Sequence, residues 1–89
     1  MPTVIFTQNL KRHIDCPSRQ VEAGTVRAAL DAVFRDNPSL RSYILDDQGR
    51  LRRHMLIAVD GELIQDRIGL SDKTSTQSEV YVMQALSGG

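Results

Sequence analysis

The sequence YVMQALSGG, residues 81–89, carries the strongest signal in the chain. Its first part is apolar and contains valine and tyrosine, which favour a β-strand. The strand leads through Ser87 into two glycines, Gly88 and Gly89. Glycine makes up about 7% of residues in proteins, so two terminal glycines arise by chance about once in 200 chains. We therefore expect a C-terminal tail with a function, whose reactive group is the carboxylate of Gly89.

The two glycines suit a tail that enters the catalytic cleft of another protein. They have no side chains to clash with the cleft, and their backbone adopts conformations that other residues avoid. A terminal carboxylate can be activated as an acyl-adenylate and then attacked by a nucleophile, and a bulky neighbouring side chain would hinder both steps. The rest of the chain is thus predicted to present the tail.

Composition limits the class of protein. The chain has 89 residues, enough for one domain, and 11 basic and 11 acidic side chains. This balance gives no electrostatic footprint for nucleic acid or for an anionic membrane. The single cysteine, Cys16, excludes an intramolecular disulfide and fits a reducing compartment. We expect no secretory signal, because residues 1–4 show no charged leader followed by a long apolar run, and no membrane span, because the longest apolar run, residues 55–59, is too short. We expect a soluble, cytoplasmic protein that is monomeric when free.

The first half of the chain predicts two strands and a helix. Residues 3–7 and 19–23 have strand character and can pair as a hairpin. Thr25 is a candidate N-cap, and the helix should end before Pro38. Between them, apolar residues recur on one helical stripe, which is typical of a helix packed on a sheet. The stripe consists of Val26, Ala29, Leu30, Val33 and Phe34.

The second half predicts mostly extended segments. Residues 40–45 are expected to form a turn and a short strand, residues 46–49 a turn, and residues 51–59 a strand. The Asp60-Gly61 pair predicts a tight turn, with residues 62–64 as the return strand. Two further core residues, Ile68 and Leu70, and a last strand over residues 80–86 complete the pattern.

This order of elements predicts an α+β fold, a β-grasp with one main helix on a mixed sheet of four to five strands. Residues 1–86 should form the domain and residues 87–89 a flexible Ser-Gly-Gly tail. On the last strand, Val80 and Val82 point to one side of the sheet, while Tyr81 and Met83 point to the other. The second side is either a partner surface or covered, and the sequence leaves both open.

Enzyme and metal sites are poorly supported by the sequence. Candidate metal ligands are His13, Cys16 and His54, fewer than the four of a structural zinc site, so no metal is predicted. A nucleophilic Cys16 would need a nearby base that the sequence does not establish. Asp46 and Asp47, beside Gln-Gly, are better interpreted as turn formers than as a catalytic pair.

A basic cluster consists of Arg50, Arg52 and Arg53. It is interpreted either as a solvated edge that discourages aggregation or as a contact for an acidic patch on a partner.

Together, the Val59–Glu62 turn, the last strand over residues 78–83 and the terminal Gly88-Gly89 resemble the ubiquitin-like β-grasp sulfur carriers. This family includes the small subunit of molybdopterin synthase and the sulfur carrier of the thiamine pathway. Residues 49–60 are more similar to the variants linked to cysteine biosynthesis. The resemblance covers the whole chain, and its functionally specific part is the Gly-Gly terminus.

The resemblance implies a carrier, not an enzyme. An E1-like adenylating enzyme would use ATP to activate Gly89, and a sulfur donor would convert it to a thiocarboxylate. A sulfur-accepting biosynthetic enzyme would then take the sulfur, and no cofactor would be bound. The predicted partner-binding residues are Leu86, Ser87 and Gly88 of the tail, together with Tyr81 and Met83 on the outward side of the last strand.

Two departures from the family pattern bear on the choice of partner. Residues 84–87 read Gln-Ala-Leu-Ser where relatives commonly have a proline, and residues 77–79 read Gln-Ser-Glu where relatives usually carry Gly-Asp. Two other functions stay open. The chain could be a protein modifier joined through Gly89 to a lysine of a target, or a non-covalent interaction module in which the glycines are incidental.

Overall fold

A computed structural model of the chain describes residues 1–7 and 17–85. Its elements, in order, are β1 (Thr3–Phe6), β2 (Arg19–Gln20), α1 (Val26–Asp36), α2 (Ser39–Ile44), β3 (Met55–Val59), β4 (Glu62–Leu63) and β5 (Glu79–Gln84). The strands form one mixed sheet in the order β2-β1-β5-β3-β4. The central pair, β1 and β5, is parallel, and the other pairs are antiparallel. The predicted α+β β-grasp fold is thereby confirmed.

Helix α1 follows the sequence pattern closely. The hydroxyl of Thr25 accepts a hydrogen bond from the Ala28 N–H at 3.1 Å, which is the expected N-cap. The helix ends at Asp36, two residues before Pro38. All five residues of its apolar stripe are buried against one face of the sheet, together with Val4, Phe6, Ile57, Val80 and Val82. One face of β5 therefore belongs to the core, as the alternation of its residues predicted.

Residues 40–45 were wrongly predicted as a turn and a strand, because they lie in and just after the short helix α2. Leu40 and Ile44 are four residues apart and both fully buried, which is the spacing of one helical face. Strand β3 is also shorter than predicted. Residues 51–54 form a loop in which the Met55 N–H donates to the Arg52 carbonyl at 2.9 Å.

The predicted tight turn between β3 and β4 is confirmed. Asp60 and Gly61 have φ angles of 52° and 89°, as a two-residue hairpin turn requires. The Asp60 carboxylate also accepts hydrogen bonds from the Ser78 hydroxyl at 3.0 Å and from the Glu79 N–H at 2.9 Å. The same turn thus fixes the start of β5. Ser78 lies in the segment that departs from the family pattern, and its side chain is buried in this contact.

The two core residues predicted between β4 and β5 differ in outcome. Leu70 is fully buried, as predicted, whereas Ile68 is 68% exposed and was wrongly assigned to the core. The loop turns on the Asp66 carboxylate, which accepts from the Gly69 N–H at 2.8 Å and from the Ser71 hydroxyl at 2.6 Å. This tight loop points Leu70 inward, at a φ of 56°, and leaves Ile68 outside.

Asp66 makes the stability of the fold depend on pH. The Ser71 hydroxyl, followed by the Gly69 and Ser71 N–H groups, lowers the pKa of Asp66 from its usual 3.8 to about 2. Because the folded pKa lies below the unfolded one, the contribution is complete above the unfolded value and is lost as the pH falls through the folded value. The Asp66→Asn variant should therefore show a shallower loss of unfolding free energy between about pH 4 and pH 2. Urea titrations at several pH values measure this, with Asp31→Asn, an exposed position on α1, as the matched control.

Arg27 of α1 connects three loop carbonyls that the sequence pattern did not link to it. Its guanidinium donates to the carbonyls of Gly49 at 2.8 Å, Ile68 at 3.1 Å and Gly69 at 3.2 Å. Hydrogen bonds from charged donors contribute about 1.5–3 kcal/mol when partly buried, and less when exposed.

We expect the Arg27→Ala variant to lose about 1–3 kcal/mol of unfolding free energy in a urea titration. The same change at Arg35, an exposed arginine on the same helix, should cost less than about 0.5 kcal/mol. Equal losses in the two variants would contradict this role for Arg27.

Candidate functional site

The candidate site is the end of β5, where the chain leaves the sheet. β5 lies between β1 and β3, so the tail starts from the middle of the sheet and not from an edge. The predicted tail residues, Leu86, Ser87, Gly88 and Gly89, lie outside the described residues. The structure therefore describes the sheet and the end of β5, up to Ala85.

The last described contact lies at Ala85, just after the end of β5. The Ala85 N–H donates to the His54 carbonyl at 2.7 Å, one step beyond the Met55–Gln84 pair of β3 and β5. Beside it lies a shallow groove of about 230 Å³, lined by Ser42, Tyr43, Arg52, His54 and Gln84. The Gln84 Oε1 atom is buried there without a hydrogen-bond partner among the described residues.

The sheet face opposite α1 carries an apolar row across four strands. Cross-strand pairing places Ile5, Tyr81, Ala58 and Leu63 side by side, with the Leu56–Met83 pair next to them. Tyr81 is 36% exposed and Leu63 60% exposed. Among the described residues, both helices pack on the other face. We call this row, with Leu56 and Met83, the open face; it brings together Tyr81 and Met83, two of the predicted partner-binding residues.

A loop with three basic residues adjoins the starting point of the tail. Arg52, Arg53 and His54 precede β3, and we call them the basic loop. Arg67 holds the backbone of this loop, because its guanidinium donates to the carbonyls of Arg52 at 2.8 Å and Met55 at 2.9 Å. Arg50, the third arginine of the sequence cluster, instead pairs with an acidic side chain.

Arg50 forms a local ion pair with Asp46, at 2.9 Å between Nε and Oδ2. Asp46 also accepts from the Gln48 and Arg50 N–H groups, each at 2.9 Å. The Arg50 N–H contributes most to lowering the pKa of the Asp46 carboxyl. The Asp46 carboxylate thus stabilises the turn that the sequence predicted.

The other sequence candidates for chemistry are His13, Cys16 and His54. His13 and Cys16 lie outside the described residues, and His54 is exposed in the basic loop. Within residues 1–7 and 17–85, no three histidine, cysteine, aspartate or glutamate side chains come together as a metal site would require. No helix in these ranges is long and apolar enough to span a membrane.

Sequence reasoning missed the residues that support the site from a distance. Arg67 is 12 to 15 residues from the carbonyls it binds, and Ser78 is 18 residues from Asp60. Contacts between residues so far apart in the sequence leave no local sequence motif that would predict them. A useful signal would have been a long cation, Arg67, three residues before the core residue Leu70, from where it can reach loop carbonyls.

Solved structures similar to this chain share its fold over nearly its whole length. Small archaeal modifier protein 1 of Haloferax volcanii is 25% identical, with a TM-score of 0.80, and covers 99% of this chain and 98% of that chain. A chain of the BexX/CysO complex of Amycolatopsis orientalis is 20% identical, with a TM-score of 0.82 and complete coverage of both chains. CysO of Mycobacterium tuberculosis, described as an antigen, is 20% identical with a TM-score of 0.80, over 97% and 100% of the two chains.

No family model matches the sequence, and no curated protein matches it. The similarity to known proteins is therefore structural. The similar structures are small archaeal modifiers, CysO chains and Urm1 proteins, and they share one fold. The resemblance of this chain to the ubiquitin-like β-grasp carriers and modifiers, inferred first from its sequence, is thus confirmed at the level of the fold over almost the entire chain.

Proposed function

We propose that this protein is a sulfur carrier whose Gly89 carboxylate becomes a thiocarboxylate. The observation that supports this most is a β-grasp sheet whose central strand, β5, is followed after two residues by Ser-Gly-Gly. The proposal requires that Gly89 carry the free C-terminal carboxylate. Partner enzymes would bind the folded domain, and the tail would extend into their catalytic clefts without side-chain bulk.

In the proposed reaction an E1-like enzyme provides the catalytic groups. A carboxylate oxygen of Gly89 attacks the α-phosphorus of ATP, and pyrophosphate leaves. A sulfide equivalent then attacks the carbonyl carbon, and AMP leaves, so that a C–S bond replaces a C–O bond. A sulfur-accepting enzyme of a cytoplasmic pathway of the cysteine, molybdopterin or thiamine type would take the sulfur, and water would attack the carbonyl carbon as the C–S bond breaks, which restores the carboxylate. The carrier binds no metal or cofactor in this scheme.

The open face is the proposed docking surface for these enzymes. Tyr81 and Met83 lie on the same strand as the tail, so a partner that covers them also holds the start of the tail in a fixed direction. Leu86, Ser87 and Gly88 would then extend into the partner's catalytic cleft. One strand would in this way couple recognition of the body to placement of the carboxylate.

A second candidate function is protein modification through Gly89. It is favoured by the similarity to a protein named as a small archaeal modifier. The same acyl-adenylate would react with a lysine amine of a target in place of a sulfide equivalent. The two functions share the activation step and differ in the nucleophile.

Intact-mass spectrometry tests the proposal. The purified chain is incubated with its cognate activating enzyme, ATP and a sulfur source, and we expect one oxygen to be exchanged for sulfur. An enzyme that forms AMP with this chain but never exchanges the oxygen would contradict the carrier function. Conjugates of higher mass in cells that disappear on deletion of residues 88–89 would instead support the modifier function.

A further inference from the structure

The net charge of zero conceals a separation of charge along β3 and β5. The basic loop lies at the end of the sheet from which the tail departs. At the opposite end, Asp60 and Glu62 occupy the β3–β4 turn, and Glu79 begins β5. All three of these acidic residues are exposed. A partner that approaches the open face therefore meets positive charge beside the tail and negative charge at the far end.

The cations of the basic loop are available for a partner. Arg53 and His54 are exposed, and neither forms an ion pair within the described ranges. Arg52 is half-buried and uses its Nε to donate to the Ser42 carbonyl at 2.8 Å, while its side chain lines the groove beside Gln84. Arg50, by contrast, is already paired with Asp46.

The loop is held in place before any partner binds. The Arg52 N–H donates to the Ile44 carbonyl at 3.0 Å, and Arg67 binds the carbonyls of Arg52 and Met55. Arg53 therefore projects from a backbone that is fixed on both sides. A preorganised charge loses less conformational entropy when it pairs, so it contributes more to binding than a charge on a loose loop.

From this arrangement we infer that the basic loop binds carboxylates on the rim of the partner cleft that receives the tail. Arginine suits this role because its planar guanidinium can bind a carboxylate through two parallel hydrogen bonds. The Ala85–His54 hydrogen bond places the loop directly beside Ala85, the last described residue before the tail. The acidic end of the sheet would repel the same rim, and so would disfavour docking in the reversed orientation.

The occupant is an acidic protein surface and not a nucleic acid. The exposed cations of the loop are few and confined to one end of the sheet, and acidic residues mark the other end. Binding to nucleic acid draws mainly on several basic contacts that follow the phosphate backbone. The adjoining surface, moreover, is the apolar open face, which matches a protein interface with a charged rim.

The inference rests on the proposed function for the identity of the partner, but the loop can be tested without it. We expect a capped hexaglutamate peptide, titrated into the isotopically labelled full chain at low salt, to shift the NMR signals of residues 52–54 and Ala85. The Arg53→Glu variant should weaken this binding at least about fivefold, and added salt should weaken it in the wild type. Arg35→Glu, the matched charge reversal on α1, should have little effect.

A second measurement uses the activating enzyme. The initial rate of thiocarboxylate formation at subsaturating carrier should fall about tenfold for Arg53→Glu and stay near wild type for Arg35→Glu. Equal behaviour of the two variants in both measurements would overturn the inference, as would tighter binding of a thymidine oligonucleotide than of the peptide at residues 52–54. Peptide binding at the loop in a chain that is never thiocarboxylated would contradict the proposed function alone.

Discussion

Deletion of Gly89 is expected to abolish the enzyme-dependent exchange of oxygen for sulfur while leaving the unfolding transition of the chain unchanged. The deletion still leaves a glycine carboxylate, at Gly88, so the chemistry of the group is conserved. What changes is its position, because one residue of extended chain spans about 3.3–3.6 Å. A reacting carbon must come within about 3–3.5 Å of its partner atom, so this shift removes it from the site of reaction.

A control variant distinguishes the effect of tail length from the effect of tail composition. Ser87→Ala keeps the length of the tail and both glycines, and we expect it to be modified at close to the wild-type rate. Urea titration monitors the fold of both variants, and we expect no change because the buried core among the described residues runs from Val4 to Val82. Normal modification of the shortened chain would mean that the position of the carboxylate does not matter, which would argue against the proposed mechanism.

The elements that the sequence predicted well are those specified by nearby residues. The stripe of α1 repeats with the helical period, and Asp60-Gly61 satisfies the φ angles of its turn without help from elsewhere. The alternation along β5 assigned Val80 and Val82 to the core and Tyr81 to the other face, and the observed burial agrees. In each case the information lies within a few residues of the element that it specifies.

The features that escaped prediction depend on contacts across the fold. Helix α2 has six residues, too few for the helical period to be distinguished from a short strand. The loop before β3 owes its shape to Arg67, and the loop around Gly49 is bound by Arg27. A long cation can reach many carbonyls, and the sequence does not say which of them the fold will bring near.

The candidate site likewise has features that local sequence predicts and features that only the strand order reveals. Tyr81 and Met83 could be assigned to an outward face from alternation alone, but the row that they share with Ile5 and Leu63 requires the strand order. Likewise, Arg53 belongs to a recognisable basic cluster, whereas its position beside the departing tail depends on the pairing of β3 with β5. Individual residues of the candidate site could be identified from the sequence, whereas their proximity follows from the sheet topology.

The second large effect is expected at the centre of the open face. Tyr81→Asp should lower the initial rate of thiocarboxylate formation by about 10–100-fold, because a buried aromatic anchor at an interface can contribute 2 kcal/mol or more and an unpaired carboxylate there adds a desolvation cost. In the free protein the residue is 36% exposed, so the charge can remain hydrated. Folding should lose no more than about 1 kcal/mol, the span of strand propensity.

Two further variants identify the origin of this effect. Tyr81→Thr removes the aromatic ring but keeps a strand-favouring residue without charge, and we expect a loss of intermediate size. Ala28→Asp introduces the same charge at an exposed position of α1, on the other side of the sheet, and should leave the rate unchanged. If the two aspartate variants reacted equally fast while both remained folded, the open face would not be the docking surface, and recognition would have to depend on the tail and the basic loop.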